Sequence, residues 1–109
     1  VSQQLKSVPD LIHVHPELLI EAAAPLLKRV AQEHGYERLA VFGSVARGDA
    51  GESSDIDLLV QAPKGTSTFA FLKFKQLLED LLSRKVDLIE YGGLKPELDD
   101  DIRHEAILL

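Results

Sequence analysis

The stretch Phe42-Gly-Ser-Val-Ala-Arg-Gly-Asp-Ala-Gly-Glu-Ser-Ser-Asp-Ile-Asp-Leu-Leu-Val60 decides the fold of this chain. It begins at the end of a short apolar run, Leu39–Phe42, that predicts a buried strand, and it ends in a second predicted strand, Ile56–Val60. Between the strands, Val45-Ala-Arg47 predicts one helical turn, and a polar loop follows it. Two short buried strands joined in this way indicate an α/β protein.

Further elements are predicted on both sides of this stretch. The apolar spacing of three and four residues favours a helix from Pro16 to about Glu33, in which Pro25 introduces a kink or a break. Its predicted buried stripe consists of Leu19, Ala22, Ala23, Leu26, Leu27 and Val30. The other predicted elements are a helix capped by Ser67 that runs to about Ser83, a strand at Lys85–Glu90, a helix at Pro96–His104 and an extended tail or edge strand at Ala106–Leu109.

Length and composition limit the classes of protein to consider. The 109 residues predict a single domain, 1–109, whose first 15 residues form a loosely ordered arm. No apolar run approaches the roughly 18 residues that cross a membrane. The net charge of −6 disfavours a groove that binds nucleic acid directly. The absence of cysteine excludes disulfides and thiolate metal sites, and is compatible with a cytoplasmic protein.

The pair Asp55 and Asp57 is the first candidate site. Alternate residues of a strand face the same way, so the two carboxylates lie on one face, about 7 Å apart. Their mutual repulsion is relieved by a divalent cation, and hard oxygen ligands favour Mg²⁺ or Mn²⁺. A solvated strand edge with two unrelated acids is the alternative for this pair taken alone.

Gly43, Ser44 and Arg47 form a candidate phosphate site. A glycine allows close approach of a ligand to the backbone, and free N–H groups at the start of a helical turn attract phosphate oxygens. Ser44 adds a hydroxyl donor, and Arg47 follows one turn later. An ordinary turn is the alternative for Gly43-Ser44, and for Arg47 the alternative is a surface cation or a partner of Asp49.

Asp87 interrupts the apolar strand Lys85–Glu90 and is the third candidate carboxylate. On a strand next to the acid pair it would complete a cup of three carboxylates for two Mg²⁺ ions. In that position it could also accept the proton of an attacking hydroxyl. A single exposed acid in a strand is the alternative.

Taken together, Gly43-Ser-Val-Ala-Arg-Gly48, Ser54-Asp-Ile-Asp-Leu-Leu-Val60 and Val86-Asp-Leu-Ile89 resemble the signature of polymerase-β-type nucleotidyltransferases, in particular their minimal (MNT) branch. The resemblance covers about half of the chain and implies a polymerase-β-like nucleotidyltransferase fold, a small mixed sheet flanked by helices. It also implies catalytic, metal-binding roles for Asp55, Asp57 and Asp87, binding of ATP by Gly43, Ser44 and Arg47, and two Mg²⁺ ions.

The same resemblance implies a partner. Larger members carry further domains for the acceptor, and 109 residues leave no room for one. Stand-alone MNT proteins pair with a HEPN ribonuclease toxin, and MntA-type antitoxins transfer AMP from ATP to a tyrosine hydroxyl of that toxin. The leading hypothesis is therefore a protein adenylyltransferase antitoxin. Two alternatives are an antitoxin that covers the toxin without catalysis, and nucleotidyl transfer to a small molecule such as an aminoglycoside with a helical partner subunit.

Overall fold

The computed structural model describes residues 15–51, 54–93, 100, 102 and 104–109. Three helices, four strands and one short 3-10 turn lie within them. In chain order these are α1 (Pro16–Glu33), β1 (Glu37–Phe42), α2 (Gly43–Arg47), β2 (Ile56–Gln61), α3 (Thr68–Leu82), β3 (Val86–Glu90), the 3-10 turn Tyr91–Gly93 and β4 (Ile107–Leu108).

The strands form one mixed sheet in the order β3-β2-β1-β4. β1 runs antiparallel to both β2 and β4, whereas β2 and β3 are parallel. A parallel pair needs a crossover connection, and α3 supplies it. This arrangement confirms the predicted α/β fold with helices packed on a mixed sheet.

The helix α1 has the predicted bounds. His15 caps it, because its ring nitrogen accepts from the Glu17 N–H at 3.4 Å, and Pro16 occupies the first turn, where it costs no hydrogen bond. His15 is thus part of the cap, while the rest of the predicted arm, 1–14, lies outside the described residues. Pro25 lies on the exposed side, and the helix continues through it without ending.

The predicted buried stripe of α1 is partly wrong. Leu19 and Leu27 are buried, but Ala22 is exposed and Leu26 keeps 46% of its surface accessible. This apolar helix has two neighbouring faces on which apolar residues recur every three or four positions. Packing on the sheet buries the face that includes Ile20 and Ala31.

The helix α3 begins and ends as predicted, to within one residue. The Ser67 hydroxyl accepts from the Ala70 N–H at 3.0 Å and caps the start of the helix. After Leu82, Ser83 caps the end, with its backbone in the left-handed conformation at φ +51°. Phe74, Leu78 and Leu82 form its fully buried side.

Apolar residues are buried on both faces of the sheet. On one face α1 and α3 cover Ile56, Leu58 and Val60 of β2, and we call this cluster the large core. On the opposite face the buried residues within the described ranges are Ala40, Phe42 and Leu59, and we call them the small core. Ile102 and Ala106 pack against the small core from the C-terminal segment.

The C-terminal segment returns to the sheet. Most of the helix predicted at Pro96–His104 lies outside the described residues, although positions 100, 102, 104 and 105 are helical. β4 then pairs with β1, which confirms the predicted edge strand. In the described part of the chain, no helix has both the length and the apolar character to cross a membrane.

Candidate active site

The register of three strands brings the end of β1 and the starts of β2 and β3 together. Phe42 lies opposite Asp57 in the antiparallel pair, and Asp57 lies opposite Asp87 in the parallel pair. Residues directly opposite one another share a face, so Asp57 and Asp87 lie on the face of the small core. Asp55 lies just before β2, at the same end. The three predicted carboxylates and Gly43 therefore lie at the same end of the sheet.

Gly43 is confined by Asp57. It has φ +70°, a conformation that favours glycine, and a Cβ on it would overlap Oδ2 of Asp57 and lie 2.9 Å from its Cγ. The glycine predicts close approach of a ligand here, but among the described residues it is the Asp57 side chain that comes closest. Gly43 is needed so that the carboxylate can lie against the backbone at the turn.

Arg47 ends the short helix α2 and faces acidic groups. Its Nε donates to Oδ2 of Asp49 at 3.3 Å, the partner considered from the sequence. One of its terminal nitrogens donates to both carboxylate oxygens of Glu105, at 3.1 and 3.2 Å. Ser44 is the second residue of α2 and is half-buried. The Arg47 guanidinium thus lies close to the aspartates of the site, but its salt bridges within the described structure are with Asp49 and Glu105.

Glu105 was not predicted as a site residue. Its Oε1 accepts from the Gly43 N–H at 2.7 Å, in addition to the contacts with Arg47. In the sequence, Glu105 is one of several acidic residues between Glu97 and Glu105, and nothing in its spacing predicts a role for it. Its position beside β4 could have indicated a role. Ile107 pairs with Val41 in the antiparallel pair, so Glu105, two residues before Ile107, comes opposite Gly43, two residues after Val41.

The electrostatics single out Asp57. Burial raises the pKa of its carboxyl above the usual 3.8, and the negative charges of Asp87 and then Asp55 raise it further. Arg47 acts in the opposite direction, and Glu105 adds a smaller increase. A cation placed among these groups would stabilise the ionised form of Asp57.

The donor set fits a hard divalent cation. All three candidate ligands are carboxylates, and their mutual repulsion is the condition that Mg²⁺ relieves. In the described ranges, no three acidic or histidine side chains converge closely enough to hold an ion as they stand. The assignment of Asp55, Asp57 and Asp87 as metal ligands therefore stays a prediction.

The two tyrosines of the chain, whose rings could in principle stack on a base, lie away from this end. Tyr36 is buried in the large core, where its ring stacks on Phe74 at 3.9 Å between centroids. Tyr91 packs on the small core, and Arg38 lies 4.2 Å above its ring. Tyr91 follows Asp87 by four residues of strand, which is about 13 Å. The three adjacent acids Asp99-Asp-Asp101 are expected from the sequence to form a solvated face; of them the structure describes only Asp100, which is exposed.

Comparison with known proteins gives the same assignment of fold. Residues 24–109 match the nucleotidyltransferase domain family. A Methanocaldococcus jannaschii protein assigned as a protein adenylyltransferase is 40% identical over 75 residues, which cover 69% of this chain and 81% of the relative. The protein adenylyltransferase MntA of Thermococcus cleftensis is 34% identical over 80 residues, covering 73% of this chain and 81% of that protein.

Two solved structures bear on the fold. A structure described as a minimal nucleotidyltransferase superposes with a TM-score of 0.79 at 38% identity, covering 89% of this chain and 98% of that one. The second is the complex of a tri-AMPylated Shewanella oneidensis HEPN toxin with its MNT antitoxin; one chain of it matches with a TM-score of 0.60 at 22% identity, covering 84% of this chain and 70% of that one. At that identity the second likeness concerns the fold alone.

Proposed function

The chain belongs to the nucleotidyltransferase domain family, and we propose that it acts as a Mg²⁺-dependent protein adenylyltransferase, the antitoxin of a HEPN ribonuclease toxin. It transfers AMP from ATP to a tyrosine hydroxyl of that toxin. The observation that carries this proposal is the strand register, because Asp57 lies opposite both Phe42, which precedes Gly43, and Asp87.

Gly43, Ser44 and Arg47 hold the triphosphate in this proposal. Backbone N–H, hydroxyl and guanidinium groups are all donors to phosphate oxygens, and here they lie on the one turn α2. The three carboxylates beside this turn would hold the ions. Bound Mg²⁺ supplies charge neutralisation of the triphosphate and lowers the pKa of the attacking hydroxyl.

The transfer step exchanges one bond for another. The tyrosine oxygen forms a bond to the α-phosphorus of ATP while the bond from that phosphorus to the bridging oxygen breaks, and pyrophosphate leaves. The tyrosine proton passes to the Asp87 carboxylate, which is exposed and therefore accessible to a hydroxyl from outside the chain. Positioning and charge neutralisation supply most of the acceleration in such a reaction.

The position of Asp87 also supports a macromolecular acceptor. In the sheet of the described residues, β3 is an edge strand, so Asp87 has no further strand beyond it. In this proposal a tyrosine of a folded partner approaches Asp87, whose side chain is exposed, from beyond this strand. The relatives named as protein adenylyltransferases and the HEPN toxin complex support a partner of this kind.

The test is the intact mass of the partner. We would incubate this chain with ATP, Mg²⁺ and a candidate HEPN-family partner from the same organism, and compare wild type with Asp57→Asn. The proposal expects the partner to gain the mass of one or more adenylyl groups with wild type only, on a tyrosine located by peptide fragmentation. Protection of cells by Asp57→Asn without any labelling would instead favour a non-catalytic cover. Labelling of an aminoglycoside in place of the protein would favour the small-molecule alternative.

A further inference from the structure

Glu105 occupies the donors that a nucleotide phosphate needs. Its carboxylate accepts from the Gly43 N–H at 2.7 Å and from Arg47 at 3.1 and 3.2 Å. A carboxylate and a phosphate edge accept from the same donors with similar geometry. These are two of the three groups assigned above to the triphosphate, so an incoming phosphate oxygen and the Glu105 carboxylate compete for them.

We propose that Glu105 is an internal stand-in for a nucleotide phosphate, which holds Gly43 and Arg47 in the nucleotide-free protein and is displaced when ATP binds. The proposal rests on the assignment of this end of the sheet as the nucleotide site. It gives Glu105 an autoinhibitory role, whereas the acceptor, the metal ions and the transfer step are unaffected by it.

The groups around Glu105 suit an anion that arrives with a cation. The negative charge of Glu105 acts on Asp57, which also experiences the charges of Asp87 and Asp55. The Gly43 N–H and Arg47 are the donors that Glu105 accepts from. A triphosphate would offer these donors an anion as well, and Mg²⁺ bound with it would offset the negative charge that it brings.

The displacement needs only a side-chain rotation. The backbone on both sides of Glu105 is fixed, since the Ala106 N–H donates to the carbonyl of Ile102 at 2.9 Å and the Leu109 N–H donates to that of Leu39 at 3.0 Å. The Glu105 side chain itself is 27% exposed, so it can rotate into solvent. β4 and the small core can stay in place while the donors are released.

The test is nucleotide affinity, measured by calorimetry with the non-hydrolysable analogue AMP-PNP and Mg²⁺, which needs no partner and no turnover. Removal of the competing carboxylate in Glu105→Ala should tighten binding by at least about tenfold, since hydrogen bonds to a charged group no longer have to be broken. Glu105→Gln should lie between wild type and Glu105→Ala, because its amide oxygen still accepts from Gly43 without the charge.

Glu90→Ala is the matched control. Glu90 also accepts from a backbone N–H, that of Ala62 at 3.4 Å, but at the other end of β3, so its removal should leave affinity unchanged. Weaker or unchanged binding by Glu105→Ala and Glu105→Gln would overturn the proposal and make Glu105 a structural support. If Glu105→Ala does not fold, as judged by thermal unfolding, the Gln variant alone decides by the same criterion.

The outcome separates this proposal from the proposed function. If wild type binds AMP-PNP and the Glu105 variants bind no more tightly, the stand-in role fails and the nucleotide site remains. If neither wild type nor any variant binds AMP-PNP, both proposals fail. If Glu105→Ala binds AMP-PNP and wild type does not, Glu105 blocks the nucleotide site completely in wild type, which supports the stand-in role.

Discussion

The large core and the small core lie on opposite faces of the same strand, β2, and differ in what they contribute. On one face Ile56, Leu58 and Val60 are fully buried beneath α1 and α3. On the other, Asp57 is followed by Leu59, which is also fully buried, in the small core. The contrast teaches that one side of β2 carries only apolar groups and serves the fold, while the other combines apolar burial with the charged groups of the candidate site. The following predictions test this division.

The largest expected effect is on catalysis. Asp57→Asn should lower the rate of nucleotidyl transfer by roughly 1000-fold or more, since it removes a charge that acts on the transition state. Its thermal stability should equal or slightly exceed that of wild type, because the carboxylate is ionised at a cost in the folded state. Initial rates and thermal unfolding measure the two properties. A marked loss of stability would mean that Asp57 also supports the fold.

Leu58→Ala should show the opposite behaviour. Leu58 is fully buried in the large core, and its truncation should lower the free energy of unfolding by about 2–5 kcal/mol. The folded fraction should keep its nucleotide affinity. Leu59→Ala is the matched variant on the other face: Leu59 is also fully buried, so its truncation should be destabilising too, but the gap lies two residues from Asp57 and should also lower nucleotide affinity. Urea unfolding and nucleotide titration of both variants would contradict the division if Leu58→Ala were the one that lost affinity.

A pair of glycine substitutions tests the contact between the turn and Asp57. Gly43→Ala and Gly65→Ala both place alanine at positive φ, +70° and +86°, which costs about 1–2 kcal/mol. Only Gly43→Ala also forces a Cβ into Asp57, so we expect it to lose about 1–3 kcal/mol more and to lose activity. Equal stability of the two variants would show that Asp57 moves aside without cost.

The smallest expected effect is a pH dependence. The pKa of Asp57 is raised in the folded protein, chiefly by burial and then by Asp87 and Asp55. The folded state therefore favours the protonated form, and the stabilisation present below the ordinary value of 3.8 is lost as pH rises through the raised pKa. As pH rises over this interval, the melting temperature of wild type should fall relative to that of Asp57→Asn. Parallel curves for the two proteins would contradict the shift.

Much of the fold follows from local signals. The spacing of apolar residues, Pro16 in the first turn of α1 and the Ser67 cap of α3 predicted the correct limits of both helices. Strand alternation gave the correct division of β2, with Ile56 and Leu58 towards one face and Asp57 towards the other. The buried side of α1 was partly misjudged, because an apolar helix offers neighbouring stripes and only the surface it packs on selects one.

What the sequence by itself determined is the set of chemical groups: a glycine turn after one strand, two aspartates at the start of the next, and a third on a later strand. Only the tertiary structure decided which of them meet. Asp87 lies opposite Asp57 because β2 and β3 are parallel and in that register. Glu105 reaches Gly43 across 62 residues because β4 returns to pair with β1. Contacts between distant residues depend on strand order and register, which local propensity does not encode.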